Sequence, residues 1–346
     1  MITEEEIQYI RNKIKSSARP LFFFDDDPDG VSSFIMLYKL SNDGKGICVK
    51  GKPILEAAYA KKVEEYSPDL VVILDKPMVE QEFLDKISQE VIWIDHHPLQ
   101  DNKRVKYFNP RKHNKDDSQP TSYWAYQIAK EDVQNILWIA MIGIIGDWNL
   151  ILADELRKQY PSLLPENINK PADALFNSDI GKLSRIVDFN LKGTTTQVMQ
   201  SIKTLTRIED PNEILSQTSP RGNFIYKKYL VVNDKYEEIK NNIKVTDDNF
   251  IIFKYYDNKL AISSMLSNEF LYKHPDKITI IAREKNDEIM LSLRSGKIKI
   301  VDKLKKALEG INGYGGGHDL ACGACVKKED FDKFIENLRR EIAKED

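Results

Sequence analysis

The residues of this chain whose types suit chemistry are carboxylates and imidazoles standing where apolar runs end. The run V-I-W-I-D-H-H at 91–97 passes from four apolar residues into Asp95, His96 and His97. L-F-F-F at 21–24 breaks into the turn D-D-D-P-D-G at 25–30, and L-V-V-I-L at 70–74 stops at Asp75. A further apolar stretch, 136–145, leads into Gly146-Asp147-Trp148. Acids crowded into one turn repel each other unless a cation lies between them, and alternating Asp25, Asp27 and Asp29 can aim oxygens at a common centre. A solvated turn capping the next helix is the plainer reading, but these acids follow a wholly apolar strand. Asp75 or Asp147 alone would read as a helix cap; repetition of the pattern gives each its weight. Carboxylate oxygens with some imidazole and no thiolate suit a hard or borderline divalent ion such as Mn²⁺ or Mg²⁺, with Mn²⁺ the expected cofactor, better than structural zinc. The set Asp25, Asp27, Asp29, Asp75, His96, His97 and Asp147 exceeds one ion's needs. Two ions about 3.5–4 Å apart would satisfy it and activate water for in-line displacement at phosphorus. Hydrolysis of a phosphoester or phosphoanhydride is the chemistry expected.

The elements that must position these groups follow from periodicity. Short apolar segments rich in β-branched and aromatic residues read as strands buried on both faces of a parallel sheet. Strands at 21–24, 47–49, 70–74 and 91–94 alternate with helical patterns at 3–15, 31–40, 53–65 and 79–88. That order predicts an α/β fold with a doubly wound parallel sheet, in which ligands sit beyond the carboxyl ends of the strands. The stretch 136–145 reads as a buried helix too short to span a bilayer. From 151 to 220 the chain is helical and charged, interrupted by Pro161, Pro165 and Pro171. Strands at 229–232, 250–253, 260–264, 278–282 and 289–293, with helices at 235–244, 267–272, 301–308 and 328–343, predict a smaller mixed α/β domain. The domains expected are 1–220 and 221–346, divided at the turn 219–222.

Composition limits the rest. At 346 residues, with 41% hydrophobic, the chain has core enough for about two domains. Its 51 basic and 54 acidic residues give a formal charge of -3, so no global field attracts nucleic acid. A polyanion must be held by a local patch and by metal. The three cysteines and the lack of a secretory signal predict a cytoplasmic protein with no disulfide framework and no membrane role. Cys322-x-x-Cys325 has no second pair and reads as packing. Between 103 and 115, basic residues interleave with Tyr107 and Phe108, a pattern suited to a single strand or to a solvated loop. Arg111 and His113 are the substrate candidates there. Arg294-Ser295 at a strand end and Gly315-Gly316-Gly317-His318 are candidates to grip an anion.

The D-x-D-x-D-G turn, the isolated Asp75, the Asp95-His96-His97 triplet and Gly146-Asp147 together resemble the four motifs of the DHH phosphoesterase superfamily. Gly315-Gly316-Gly317-His318, with Ala321 and Gly323, resembles the glycine-rich signature of the DHH-associated domain. The pattern is most similar to the RecJ-like, archaeal-type nuclease branch. The resemblance implies a dinuclear Mn²⁺ or Mg²⁺ site at the base of an interdomain cleft. By motif, Asp27 would bind the first ion, Asp29 the second, and Asp75 would bridge them, with His96 and Asp147 completing the second site. His97 would face the substrate phosphate and Asp95 would orient the histidines. Arg294, Ser295, Gly316, Gly317 and His318 would hold a phosphate. Asp25 departs from a position where many relatives carry histidine, and Lys76-Pro77 departs from the glycine or histidine often found after the bridging aspartate.

The function implied is a metal-dependent phosphodiesterase or exonuclease on single-stranded DNA or RNA, with a place in DNA repair. Short oligonucleotides, as for nanoRNase-like relatives, or a cyclic dinucleotide are the alternative substrates. A catalytically weak, replisome-associated scaffold is the alternative from another class; its metal set would be expected to erode, whereas Asp27, Asp29, Asp75, His96 and Asp147 all remain. An active enzyme could also dock on a replication or repair protein.

Overall fold

The apolar runs that end in acids are parallel strands. The computed structural model describes residues 1–41, 43–257 and 260–344, and the chain divides into two compact units, 1–229 and 230–346. In the first unit the strands are β1 (Pro20–Asp25), β2 (Lys45–Val49), β3 (Ile54–Leu55), β4 (Leu70–Leu74), β5 (Met78–Val79), β6 (Glu90–Ile94) and β7 (Lys106–Phe108). A parallel sheet runs in the order β2-β1-β4-β6-β7, and β3 pairs with β5 in a separate ribbon. Phe22, Phe23, Val72, Ile73, Ile92 and Trp93 are all 0% exposed, as strands covered on both faces require. The chain moves from β1 out to β2 and returns on the other side at β4. This reversal is the switch point at which open sheets bind ligands. The acidic turn and Asp75 end the two strands that flank it.

Helix Pro28–Ser41 leaves the acidic turn with Asp27 as its cap, the Oδ1 accepting from the Gly30 N–H at 2.9 Å. Pro28 occupies a first-turn position, where a missing N–H costs nothing. The plainer reading of the turn as a cap is therefore correct for Asp27, alongside any role with metal. Helices Thr121–Ala129 and Leu137–Gly146 pack on Pro28–Ser41. The helix expected at 53–65 is instead β3, a 3₁₀ turn Ala57–Tyr59 and the short helix Ala60–Tyr66. Ladder bonds from Met78 N to the Pro53 carbonyl and from Glu80 N to the Leu55 carbonyl, 3.2 and 3.0 Å, hold its start extended. They also shorten the helix expected at 79–88 to Gln81–Lys86.

The second unit holds β8 (Phe250–Tyr256), β9 (Ile278–Lys285), β10 (Glu288–Arg294), β11 (Gly313–His318) and β12 (Ala321–Lys327). They form one sheet in the order β11-β12-β10-β9-β8, parallel only between β8 and β9. Helix Phe331–Ile342 covers its core face with Phe331, Phe334, Leu338 and Ile342. Two expected strands are absent. Residues 229–232 lie in helix Pro220–Asn241, within which the division between the units falls. Ile225, Tyr229 and Tyr236 are buried there while Leu230 and Val231 are exposed, so a four-residue apolar run was half of a helical pattern. At 260–264 the chain turns, Leu260 N donating to Asp257 Oδ1 at 2.8 Å, and helix Ser263–Lys273 begins. Among the described residues no helix is long and apolar enough to cross a membrane.

Candidate metal centre

The carboxyl ends of β1, β4 and β6 bring the acids together. Three sets of donor atoms each lie within 4.8 Å of one another: Asp25, Asp27 and Asp75; Asp29, His96 and Asp147; Asp75, His96 and His97. Asp75 and His96 each belong to two sets. His96 Nε2 lies 3.4 Å from Asp75 Oδ1 and 4.0 Å from Asp29 Oδ2, and its Nδ1 lies 3.7 Å from Asp147 Oδ2. Every residue expected at the metals is thus in one cluster.

Neighbouring groups fix this geometry. Asp75 adopts φ 57°, in the left-handed region that Asp tolerates better than most residues. Its N–H donates to the Ile94 carbonyl at 3.0 Å, tying the end of β4 to β6. Asp29 accepts from Thr121 N and Ser122 N, both at 2.8 Å, so it caps helix Thr121–Ala129 from another element. The Thr121 hydroxyl donates to Asp75 Oδ1 at 3.2 Å. Asp95 is buried and saturated: it accepts from His97 N at 3.0 Å, the Tyr107 hydroxyl at 3.1 Å and Asn109 Nδ2 at 3.2 Å. Its other oxygen lies 2.7 Å from His97 Nδ1. Asp95 therefore orients His97, leaving Nε2 as the ring's outward nitrogen.

Burial, then repulsion between neighbours, pushes Asp25 and Asp27 up to about 7. Burial pushes Asp147 up to about 7 as well, with His96 opposing the rise and Asp29 and Asp95 adding to it. Asp75 is raised well above the usual range by burial and by Asp29, Asp27 and Asp25. For His96, burial works downward, but Asp147, Asp29, Asp95 and the Ser118 carbonyl outweigh it and raise the pKa. Among the described residues, the five carboxylates of these sets meet one ammonium, that of Lys76 on Asp25 at 2.8 Å. So much uncompensated negative charge around buried Asp29 and Asp75 and half-buried Asp25 and Asp27 fits divalent cations, and the oxygen and imidazole donors fit Mn²⁺ or Mg²⁺.

The other expected residues are placed differently. Arg111 donates from Nε to the His96 carbonyl at 2.8 Å and so braces the histidine loop. His113 faces Glu6 at 3.1 Å, outside the cluster. Much of the basic stretch 103–115 is engaged with the fold: Arg104 binds the Ile87 carbonyl, Lys106 binds Glu90 and Lys112 binds the Tyr107 carbonyl.

In the second unit, Arg294 and His318 both pair with Ala321, so the three stand in one cross-strand row on one face of the sheet. The next row is Ser292, Gly323 and Gly316. A Cβ on Gly316 would meet nothing within 4 Å, so this face is bare beside His318. Arg294 is held by Asn268 Oδ1 at 2.7 Å, with no carboxylate partner among the described residues. Ser295 Oγ accepts from Ile298 N at 2.9 Å and closes the turn after β10. Gly317, at φ 142°, ends the glycine run of edge strand β11. Cys322 and Cys325 stand three apart on one strand, so they point to opposite faces and cannot share a metal or a disulfide.

Sequence reasoning left Lys76 as a departure and did not single out Thr121 and Ser122 as partners of the acids. The backbone donors of that helix start carry no side-chain signal. Tyr107 was read only as an aromatic among basic residues, and Asn109 was missed; Tyr107 lies on β7 and Asn109 just after it, where the parallel pairing of β7 with β6 returns both to Asp95.

A model of the DHH family, N-terminal domain, matches residues 21–144, and one of the DHHA1 domain matches 247–344. None of the curated proteins compared matches the chain. Among solved structures, RecJ of Thermus thermophilus in complex with Mn²⁺ is similar with a TM-score of 0.71 at 14% identity, over 99% of this chain and 56% of that one. The chain thus spans little more than half of that protein. The DHH domain of PF0399, described as a member of a family of ribosomal proteins, gives 0.68 at 17% identity over 98% and 89%. CDC45 of Entamoeba histolytica gives 0.58 at 12% identity over 98% of both chains. At these identities the likeness is one of fold.

Proposed function

We propose, from the premise that the chain carries a DHH N-terminal domain over 21–144 and a DHHA1 domain over 247–344, that it is a divalent-metal-dependent phosphodiesterase that shortens single-stranded nucleic acid. The observation that carries this reading is the sharing of Asp75 and His96 between donor sets at the switch point of the sheet. Asp25, Asp27 and Asp75 would hold one ion, and Asp29, His96 and Asp147 the other, the two sets meeting where Asp75 lies 3.4 Å from His96. When bound, the ions activate water and neutralise charge developing at phosphorus.

The chain's own residues do the rest. Asp95 fixes His97 so that its outward nitrogen meets a phosphate oxygen. Thr121 and Ser122 hold Asp29 and Asp75 at one angle. Arg294 and His318 grip a phosphate from one sheet face, Arg bidentately, while Gly316 and Gly323 leave room for it. The resemblance of the motifs to RecJ-like nucleases supports single strands, whose phosphates such a row of side chains can address singly.

The test is a Mn²⁺ time course on end-labelled single-stranded DNA and RNA of several lengths plus a dinucleotide, with Asp75→Ala as control. Stepwise shortening of long strands, absent in the control, supports the proposal. Cleavage confined to the dinucleotide moves the substrate to short oligonucleotides. No cleavage with Mn²⁺ or Mg²⁺ overturns the enzymatic reading in favour of a scaffold.

A further inference from the structure

Lys76 follows Asp75 directly and is 0% exposed. Its Nζ donates to Asp25 Oδ1 at 2.8 Å and to the Lys52 carbonyl at 2.6 Å, while its own carbonyl accepts from Trp93 Nε1 at 3.1 Å. Both ends of the residue are therefore held. An ammonium taken out of water needs anionic partners close by, and a carboxylate tied to an ammonium has one oxygen and one charge fewer to offer an ion. The set Asp25, Asp27 and Asp75 has this internal cation; Asp29, His96 and Asp147 have no Lys or Arg partner among the described residues.

We propose that Lys76 is a built-in cation that sets the two ion sites apart. It holds Asp25, so the Asp25, Asp27 and Asp75 site takes its divalent ion more weakly than the Asp29, His96 and Asp147 site. The weaker site then fills only at higher ion concentration. This inference rests on the metal-dependent reading above and names the residue that grades its ion affinity.

The test is Mn²⁺ binding to the full chain, followed by calorimetry and by the paramagnetic resonance of free Mn²⁺, across a double-mutant cycle. The wild type is expected to show a tight and a weak class of site. Lys76→Met should tighten the weak class by about tenfold or more and leave the tight class within about threefold, the scale set by one elementary charge a few ångströms away. Asp25→Asn leaves the ammonium uncompensated and should weaken the weak class. Asp25→Asn with Lys76→Met removes the pair as a unit and should restore near-wild-type binding. Neutral replacement of a buried pair is well tolerated, so comparing this double variant with Asp25→Asn decides the matter even if Lys76→Met alone does not fold. Equal weakening in Asp25→Asn and in the double variant, or an unchanged isotherm in Lys76→Met, overturns the proposal while leaving the metal-dependent reading intact. A wild type that binds no Mn²⁺ overturns both.

Discussion

At the scale of single residues, the site is a set of acids that water alone cannot keep ionised. Asp25, Asp27 and Asp147 are pushed up to about 7, from an ordinary value of 3.8, chiefly by burial. A folded-state pKa above the unfolded one means the folded chain holds protons that the unfolded chain has already lost. Stability of the metal-free protein is therefore full below about pH 4 for these groups and falls as pH rises toward about 7. Its melting temperature should be lower at about pH 8 than at about pH 5 once metal is chelated, and Mn²⁺ should restore it. Mn²⁺ binding should also tighten as pH rises through about 7, with protons released into unbuffered solution; a pH-independent isotherm would contradict the picture. Asp95 acts otherwise, because His97, Tyr107 and Asn109 saturate it. Asp95→Asn should cost about 10–100-fold in kcat, with the stoichiometry of bound Mn²⁺ retained. Kinetics and calorimetry on the same preparation separate the two effects.

At the scale of elements, the acidic turn works because helix Pro28–Ser41 lies almost on β1. A Cβ at Gly30 would stand 2.8 Å from both the N and the O of Asp25, which are backbone atoms that cannot step aside. Gly30→Ala should push the helix off the strand, destabilise the fold by about 1–3 kcal/mol, and weaken Mn²⁺ binding. Denaturant melts with and without Mn²⁺ read both effects. The glycine was visible in D-D-D-P-D-G; the reason for it needed three dimensions. The strands that carry the acids could be read from sequence because both faces of a parallel sheet are covered, leaving unbroken apolar runs at 21–24, 70–74 and 91–94. Where only one face is buried the signal fails. Residues 229–232 look like a strand until Leu230 and Val231 prove exposed beside buried Tyr229. Contacts made by backbone groups, such as Thr121 and Ser122 on Asp29, leave no trace in side-chain types. Lys76 showed only as an odd residue, since its partner Asp25 lies 51 positions away.

At the scale of the whole molecule, the function proposed above would divide the labour between the two compact units by charge. The acids that attract cations all belong to residues 1–229, and the Arg294, Ala321 and His318 row belongs to 230–346. With a formal charge of -3, the chain as a whole has no field to draw in a polyanion. On the function proposed above, affinity for substrate would then come from the ions and from a few groups such as Arg294. Burial lowers Arg294 to about 10, still well above neutral pH, so the guanidinium stays charged, held by Asn268 and by the Leu293 and Cys322 carbonyls with no carboxylate to neutralise it among the described residues. A cation left in that state is available to an anion. Arg294→Ala and His318→Ala should each lower kcat/KM, mostly through KM, while the Mn²⁺ isotherm stays as in the wild type. Arg294→Lys should not rescue, because an ammonium lacks the planar fork that grips two phosphate oxygens. If kcat/KM is untouched by both alanine substitutions, the phosphate grip lies elsewhere. If instead they disturb Mn²⁺ binding, the division of labour between the two units is wrong. With few phosphates gripped, the fall of affinity with salt should be shallow, and Arg294→Ala should make it shallower by about one counterion.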